Sequence, residues 1–352
     1  MSYVTAEIES QPDCWRLAAK LAGSPGLPAA GERVAVVGCG TSWFMAKAYA
    51  NLRERTGQGE TDAFQASEFP YDRRYDRVIA ITRSGTTTEI VDLVRALTTE
   101  ASGTGAATGT RDTGSTGTRD TSGTGTRDTG GTGTRDTTGA RGTAATPVTV
   151  ITSDATQPAA DLATDSIALD FADERSVVQT RFATSALALL RAHLGADIES
   201  LAMDAEVAVR LPLPVHPGQT EQITFLGRGW TVGIAEEAAL KCREAANYWA
   251  EAYPAMDYRH GPISIAGPHR VVWAFGDIPP GLADDVEATG ASFVHSRHHG
   301  GYAALGRWGG GRAPLDPMAD LIVAQRVAVQ LATARGLDPD QPRNLTRSVL
   351  LA

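Results

Sequence analysis

RVAVVGCGTSWFMAKAYANLRER, residues 33–55, reads as a short β-branched strand from Arg33 to Val37, a glycine turn through Gly38-Cys39-Gly40-Thr41-Ser42, and a helix from Trp43 to Arg55. Strand, glycine turn and helix in that order point free backbone N–H groups and the positive end of a helix dipole at one place, where an anion is favoured. The same grammar returns as a strand at Arg77 to Ile81, the loop Thr82-Arg83-Ser84-Gly85-Thr86-Thr87-Thr88-Glu89, and a helix from about Ile90 to Leu97. One such loop is most simply a good turn and helix cap. Two in succession, each after a buried parallel strand, lie side by side at the carboxyl edge of one sheet and form a cradle of hydroxyls and amides for a phosphate. Neither is a P-loop, because Gly-Lys-Ser/Thr is absent, and the first turn lacks G-x-G-x-x-G.

Outward from these loops, residues 7 to 23 read as an opening helix stopped by Pro25 and Pro28. From about Ala101 to Ala145 the apolar residues vanish and TGTRDT recurs every eight residues, at Thr108, Thr116, Thr124 and Thr132. Each copy carries one Arg and one Asp, too little to build a core and too few carboxylates for calcium, so a disordered surface insertion is expected. Beyond it come strands at 147–152 and Ser166 to Leu169, then a helix opened by Asp173-Glu174 and running to about His193. A short helix and linker fill 194–219. The second half repeats the plan: strand Gln222 to Leu226, turn Gly227-Arg228-Gly229, helix from about Val232 to Asn247, strand Arg270 to Phe275, helix Gly281 to Thr289, strand Ala291 to His295, and a last helix Pro317 to Arg335. The expected class is α/β, with two domains at about 1–200 and 201–352, each a parallel sheet between helical layers.

At 352 residues and 42% hydrophobic the chain can fill two cores. A net charge of -9 gives no field for nucleic acid or an anionic bilayer, so an anionic ligand needs locally placed donors. No apolar run approaches the ~20 residues of a membrane span, and the N-terminus lacks signal-peptide character, which together suggest a cytoplasmic protein. Cys14, Cys39 and Cys242 are odd in number without C-x-x-C spacing, arguing for reduced thiols and against zinc. His295, His298 and His299 have no carboxylate or cysteine at ligand spacing and read as a polar loop. No metal and no cofactor is expected.

The chain has three lysines, Lys20, Lys47 and Lys241. Glu237, Lys241 and Glu244 stand at i, i+4 and i+7 on one face of an Ala-rich helix, with His260 in the turn beyond. Such a row is either a solvated stripe or a site. A lysine where the chain otherwise uses arginine suggests a role for a group that can shed its proton when desolvated.

CGTS at 39–42, RSGTT at 83–87, GRG with AEEAALKCRE at 227–244, AEAYPAMDYRHGP at 250–262 and DQPRNLTRSV at 340–349 resemble the tandem sugar isomerase (SIS) domains of glucosamine-6-phosphate synthase. No glutamine-hydrolysing domain of the kind that family carries is expected ahead of these motifs. The resemblance implies that Cys39, Gly40, Thr41, Ser42, Thr82, Arg83, Ser84, Thr87, Val177, Gln179 and Arg347 bind a sugar phosphate. It implies that Glu244 shuttles a proton between C1 and C2, that His260 assists ring opening from the partner subunit of a homodimer, and that Glu237 orients groups. Lys241, beside Glu244, would stabilise an oxyanion or keep Glu244 ionised. Two departures narrow the chemistry. Arg347 replaces the family's imine-forming tail lysine, and arginine cannot form that imine. Arg83 replaces a glutamine and is more similar to SIS amino-sugar-phosphate deaminases. The implied reaction is conversion of an aldosamine 6-phosphate to a ketohexose 6-phosphate and ammonia; a non-catalytic phosphosugar sensor and a deglycase of ketose-amine phosphates are the alternatives.

Overall fold

The computed structural model describes residues 2–99, 145–296 and 314–351. The TGTRDT repeat and residues 297–299 lie outside the described residues. The order of elements is α1 (Tyr3–Glu9), α2 (Gln11–Ala19), β1 (Val34–Gly38), α3 (Thr41–Arg55), β2 (Thr61–Gln65), β3 (Arg77–Ile81), α4 (Thr88–Thr98), β4 (Val148–Thr152), α5 (Pro158–Leu162), β5 (Asp165–Ala168), α6 (Arg181–His193) and α7 (Ile198–Ala208). It continues with β6 (Gln222–Gly227), α8 (Thr231–Ala246), β7 (Ala250–Pro254), β8 (Arg270–Ala274), α9 (Leu282–Glu287), β9 (Ser292–Val294) and α10 (Pro317–Ala334).

Every residue of β1, β4 and β6 is buried, as strands covered on both faces require. They lie in two parallel sheets, ordered β2-β1-β3-β4-β5 and β7-β6-β8-β9. The largest apolar cluster reaches from Val34 and Val36 in the first sheet through α3, α6, α8 and α10 to Ile223 and Phe225 in the second. Between the sheets α3 and α8 approach so closely that a Cβ on Gly233 would fall 2.3 Å from the Phe44 carbonyl oxygen, and only glycine fits there. That contact brings the first turn of α3 against the charged face of α8.

The structure departs from the sequence expectations in three places. Strands β2 and β7 escape prediction because each sits at a sheet edge and is mostly half-buried, so neither needs a continuous apolar run. The opening helix is two helices: Ser10 closes α1, and Pro12, which cannot donate to a helical ladder, falls in the first turn of α2. The third departure is the largest. Residues 173–180 are not the acidic first turn of a helix; α6 begins only at Arg181. The Glu174 carboxylate turns inward and accepts from the Thr180 N–H at 2.5 Å and the Arg181 N–H at 2.7 Å, capping α6 from outside it.

Candidate active site

Because β1 and β3 are adjacent parallel strands, the loops at their carboxyl ends meet. Gly40 turns the first loop into α3 with φ +53°, and Gly85 turns the second with φ +65°. A side chain at Gly85 would also strike Gln157, its Cβ 2.6 Å from the Gln157 Cβ. The two loops open onto a cavity of about 200 Å³. Cys39, Gly40, Thr41, Ser42, Thr82, Arg83, Ser84 and Thr87 line it, together with Val177, Gln179 and Arg347. All the residues expected to bind substrate thus reach one cavity. Another cavity, about 190 Å³, lies by Thr231, Gly276 and Asp277 at the carboxyl ends of β6 and β8.

Of the four residues expected to carry chemistry, Glu244 alone lines the first cavity. Behind it the side chains of Lys241 and Glu237 are each 1% exposed, which excludes a solvated stripe. The Lys241 ammonium donates to Glu244 Oε2 at 2.6 Å and to Thr41 Oγ1 at 3.0 Å, and Glu237 Oε1 stands 3.3 Å away. It therefore ties α8 to the first turn of α3 and so to the first glycine loop. Burial raises the Glu237 carboxyl to about 8; the Lys241 charge opposes that shift and the Glu244 charge adds to it. For Lys241, burial acts to lower the pKa, but the Glu237 and Glu244 carboxylates more than offset it and leave it above the ordinary lysine value. At neutral pH Glu237 is a neutral acid and Lys241 an ammonium, and the ammonium partners Glu244, the group that faces the cavity.

The shift at Glu237 carries a pH dependence. The folded chain holds this proton to about 8 against an ordinary 4.5, so the group's contribution to stability is complete below about 4.5 and is lost as pH rises through about 8. Glu237→Gln fixes the neutral form. Its stability relative to the parent is expected to be greater at about pH 9 than at about pH 6, read as the difference in urea midpoints. An equal difference at both pH values would contradict a protonated Glu237.

His260 is exposed in a short 3₁₀ turn, Asp257–His260, anchored by buried Tyr258, and does not line the cavity of its own chain. Arg83 lines the cavity, yet its terminal nitrogens are turned onto protein: Nη1 donates to Glu174 Oε2 and the Ser176 carbonyl, Nη2 to the Val177 and Arg347 carbonyls. Arg347 lines it too, while its guanidinium donates to the Glu174 carbonyl and to the Asp173 carboxylate. Sequence reasoning missed Asp173 and Glu174 as parts of this site. Their signal was Thr180-Arg181, a helix-start pair whose N–H groups lack an acceptor unless an upstream acid folds back.

No family model matches the chain. The glutamine–fructose-6-phosphate aminotransferase [isomerizing] of Nostoc sp. is 27% identical over 335 residues, 90% of this chain and 52% of that protein, so the chain spans about half the length of this curated relative. Among solved structures, glucosamine-6-phosphate deaminase from Thermotoga maritima aligns with a TM-score of 0.66 at 20% identity, covering 99% of this chain and 100% of the other. The C-terminal domain of glucosamine-fructose-6-phosphate aminotransferase from Francisella tularensis aligns with a TM-score of 0.70 at 17% identity, covering 97% and 98%. The chain is thus similar in sequence along nine-tenths of its length to an isomerizing aminotransferase and shares its fold with a glucosamine-6-phosphate deaminase and with the C-terminal domain of a glucosamine-fructose-6-phosphate aminotransferase, which supports the resemblance to the sugar isomerase (SIS) family.

Proposed function

We propose that this protein is a phosphosugar isomerase of two tandem SIS domains, at about 1–200 and 201–352, and that it releases ammonia from an aldosamine 6-phosphate. The loops at Gly40 to Ser42 and Thr82 to Thr87 hold the phosphate by hydroxyls and amides. The Glu244 carboxylate takes the proton from C2 of the opened sugar and returns it to C1. The resulting ketimine at C2 adds water and loses ammonia, leaving the ketose, and no protein imine forms. His260, off the cavity of its own chain, assists ring opening in the site of a second copy.

The observation that carries this reading is Arg347. It stands in the tail where the resemblance puts an imine-forming lysine, its side chain is held by Asp173 and the Glu174 carbonyl, and a guanidinium is not a carbonyl nucleophile. A reaction whose nitrogen already belongs to the sugar does without that lysine. Purified protein offered glucosamine 6-phosphate and galactosamine 6-phosphate is expected to release ammonia and ketose 6-phosphate in equal amounts from at least one of them. Exchange of the C2 hydrogen with solvent without ammonia would leave the proton transfer but refute deamination, and silence on both would refute the reading.

A further inference from the structure

We infer that Arg83 and Arg347 form a reciprocal clasp around Glu174 that fixes the tail as a wall of the cavity, so that Arg83 is a positioning residue and not a phosphate ligand. The inference rests on the proposed sugar-phosphate site only for its kinetic consequence; the clasp itself is geometric. Arg83 is 5% exposed and Glu174 fully buried. The four contacts made by Nη1 and Nη2 equal the four terminal N–H donors of a guanidinium, leaving only Nε–H, which is itself buried. One of those donors holds the backbone of Arg347, and the side chain of Arg347 in turn holds the backbone of Glu174. Each arginine thus secures the segment that carries the other's acceptor.

Glu174 is the fixed point of this arrangement. Its Oε1 takes the N–H groups of Thr180 and Arg181 and the Thr180 hydroxyl, while Oε2 faces Arg83 at 3.2 Å. A buried carboxylate and guanidinium with their hydrogen-bonding capacity this nearly filled form a rigid pair. The tail is also laid on the second glycine loop: Thr86 Oγ1 and Ser348 Oγ are 3.1 Å apart, and the Thr88 N–H donates to the Val349 carbonyl at 3.2 Å. Arg83 sits in that same loop. One side chain therefore couples the shape of a phosphate loop, the strand of backbone at Val177 and the closure of the tail.

The test compares the full-length parent with Arg83→Gln, Arg83→Lys and Arg347→Met, first by limited trypsin digestion without any sugar. Cleavage after Arg343 is expected to run roughly tenfold or more faster in all three, because loss of charge-assisted bonds raises the population of the open tail. Lysine keeps the charge beside Glu174 but cannot span three carbonyls as a planar fork does, so Arg83→Lys is not expected to rescue protection. In kinetics on glucosamine 6-phosphate, Arg83→Gln is expected to raise KM roughly tenfold with kcat changed much less, as loss of a preformed wall weakens ground state and transition state alike. A tail as resistant in Arg83→Gln or Arg83→Lys as in the parent overturns the clasp, even if KM rises, since that pattern belongs to a direct phosphate ligand. Arg347 is partly exposed, so Arg347→Met keeps its fold if the buried-site variants do not, and unchanged cleavage there overturns the clasp as well. The digestion reads out without turnover, so failure of the proposed reaction and failure of the clasp are separate results.

Discussion

Glu244→Gln is expected to lower kcat on an aldosamine 6-phosphate by about 10²–10⁴-fold, the range that a positioned general acid–base contributes. Glutamine preserves the volume and still accepts from Lys241, so the helix and the cavity survive. It cannot take a proton from carbon. KM is expected to change little, because the proposed phosphate grip is made by the hydroxyls and amides of the two glycine loops and not by the Glu244 carboxylate. Exchange of the C2 hydrogen with deuterium from heavy water is expected to fall in step with kcat. A variant that keeps more than roughly a tenth of parental turnover would move the proton transfer to another group and remove Glu244 from that role.

Lys241→Met carries the largest expected effect on stability, a loss of about 3–5 kcal/mol, the usual consequence of removing one partner from a buried charged cluster. Methionine fills a similar space but leaves Glu244 without its 2.6 Å partner and Thr41 without its donor. Glu237, already neutral at pH 7, then has no nearby cation to help it ionise. The double variant Glu237→Leu/Lys241→Met is expected to regain most of the lost stability, since exchanging buried ionic groups for apolar ones removes their desolvation cost. It is not expected to regain activity, because the ammonium that holds Glu244 in place at the cavity is gone. Denaturant unfolding of the parent, single and double variants reads the first expectation and turnover reads the second. A single variant within about 1 kcal/mol of the parent would mean that the three side chains act independently.

Strands β1, β3, β4, β6 and β8 were legible because a strand buried on both faces must be an apolar run, and the glycine loops were legible because a left-handed turn before a helix demands Gly40 and Gly85. The cradle followed from those two facts together. The edge strands β2 and β7 were not legible, since one dry face permits Asp62, Gln65 and Glu251. The start of α6 was misread for a different reason. Glu174 and Asp173 look like dipole-favoured residues of a first turn, whereas Glu174 is held by Arg83, 91 residues earlier, and Asp173 by Arg347, 174 residues later.

The row Glu237, Lys241 and Glu244 divides most clearly. Helical spacing alone placed the three side chains on one face and marked Lys241 as unusual in a chain that prefers arginine. Whether that face met water or protein was decided by the close crossing of α3 and α8 at Gly233, which shuts Glu237 and Lys241 away from solvent and leaves Glu244 at the cavity. Periodicity and turn chemistry are properties of neighbouring residues. Desolvation, a raised carboxyl pKa and a clasp between a loop and a tail depend on which distant segments exclude water from the same few atoms, and only the folded chain brings those segments together.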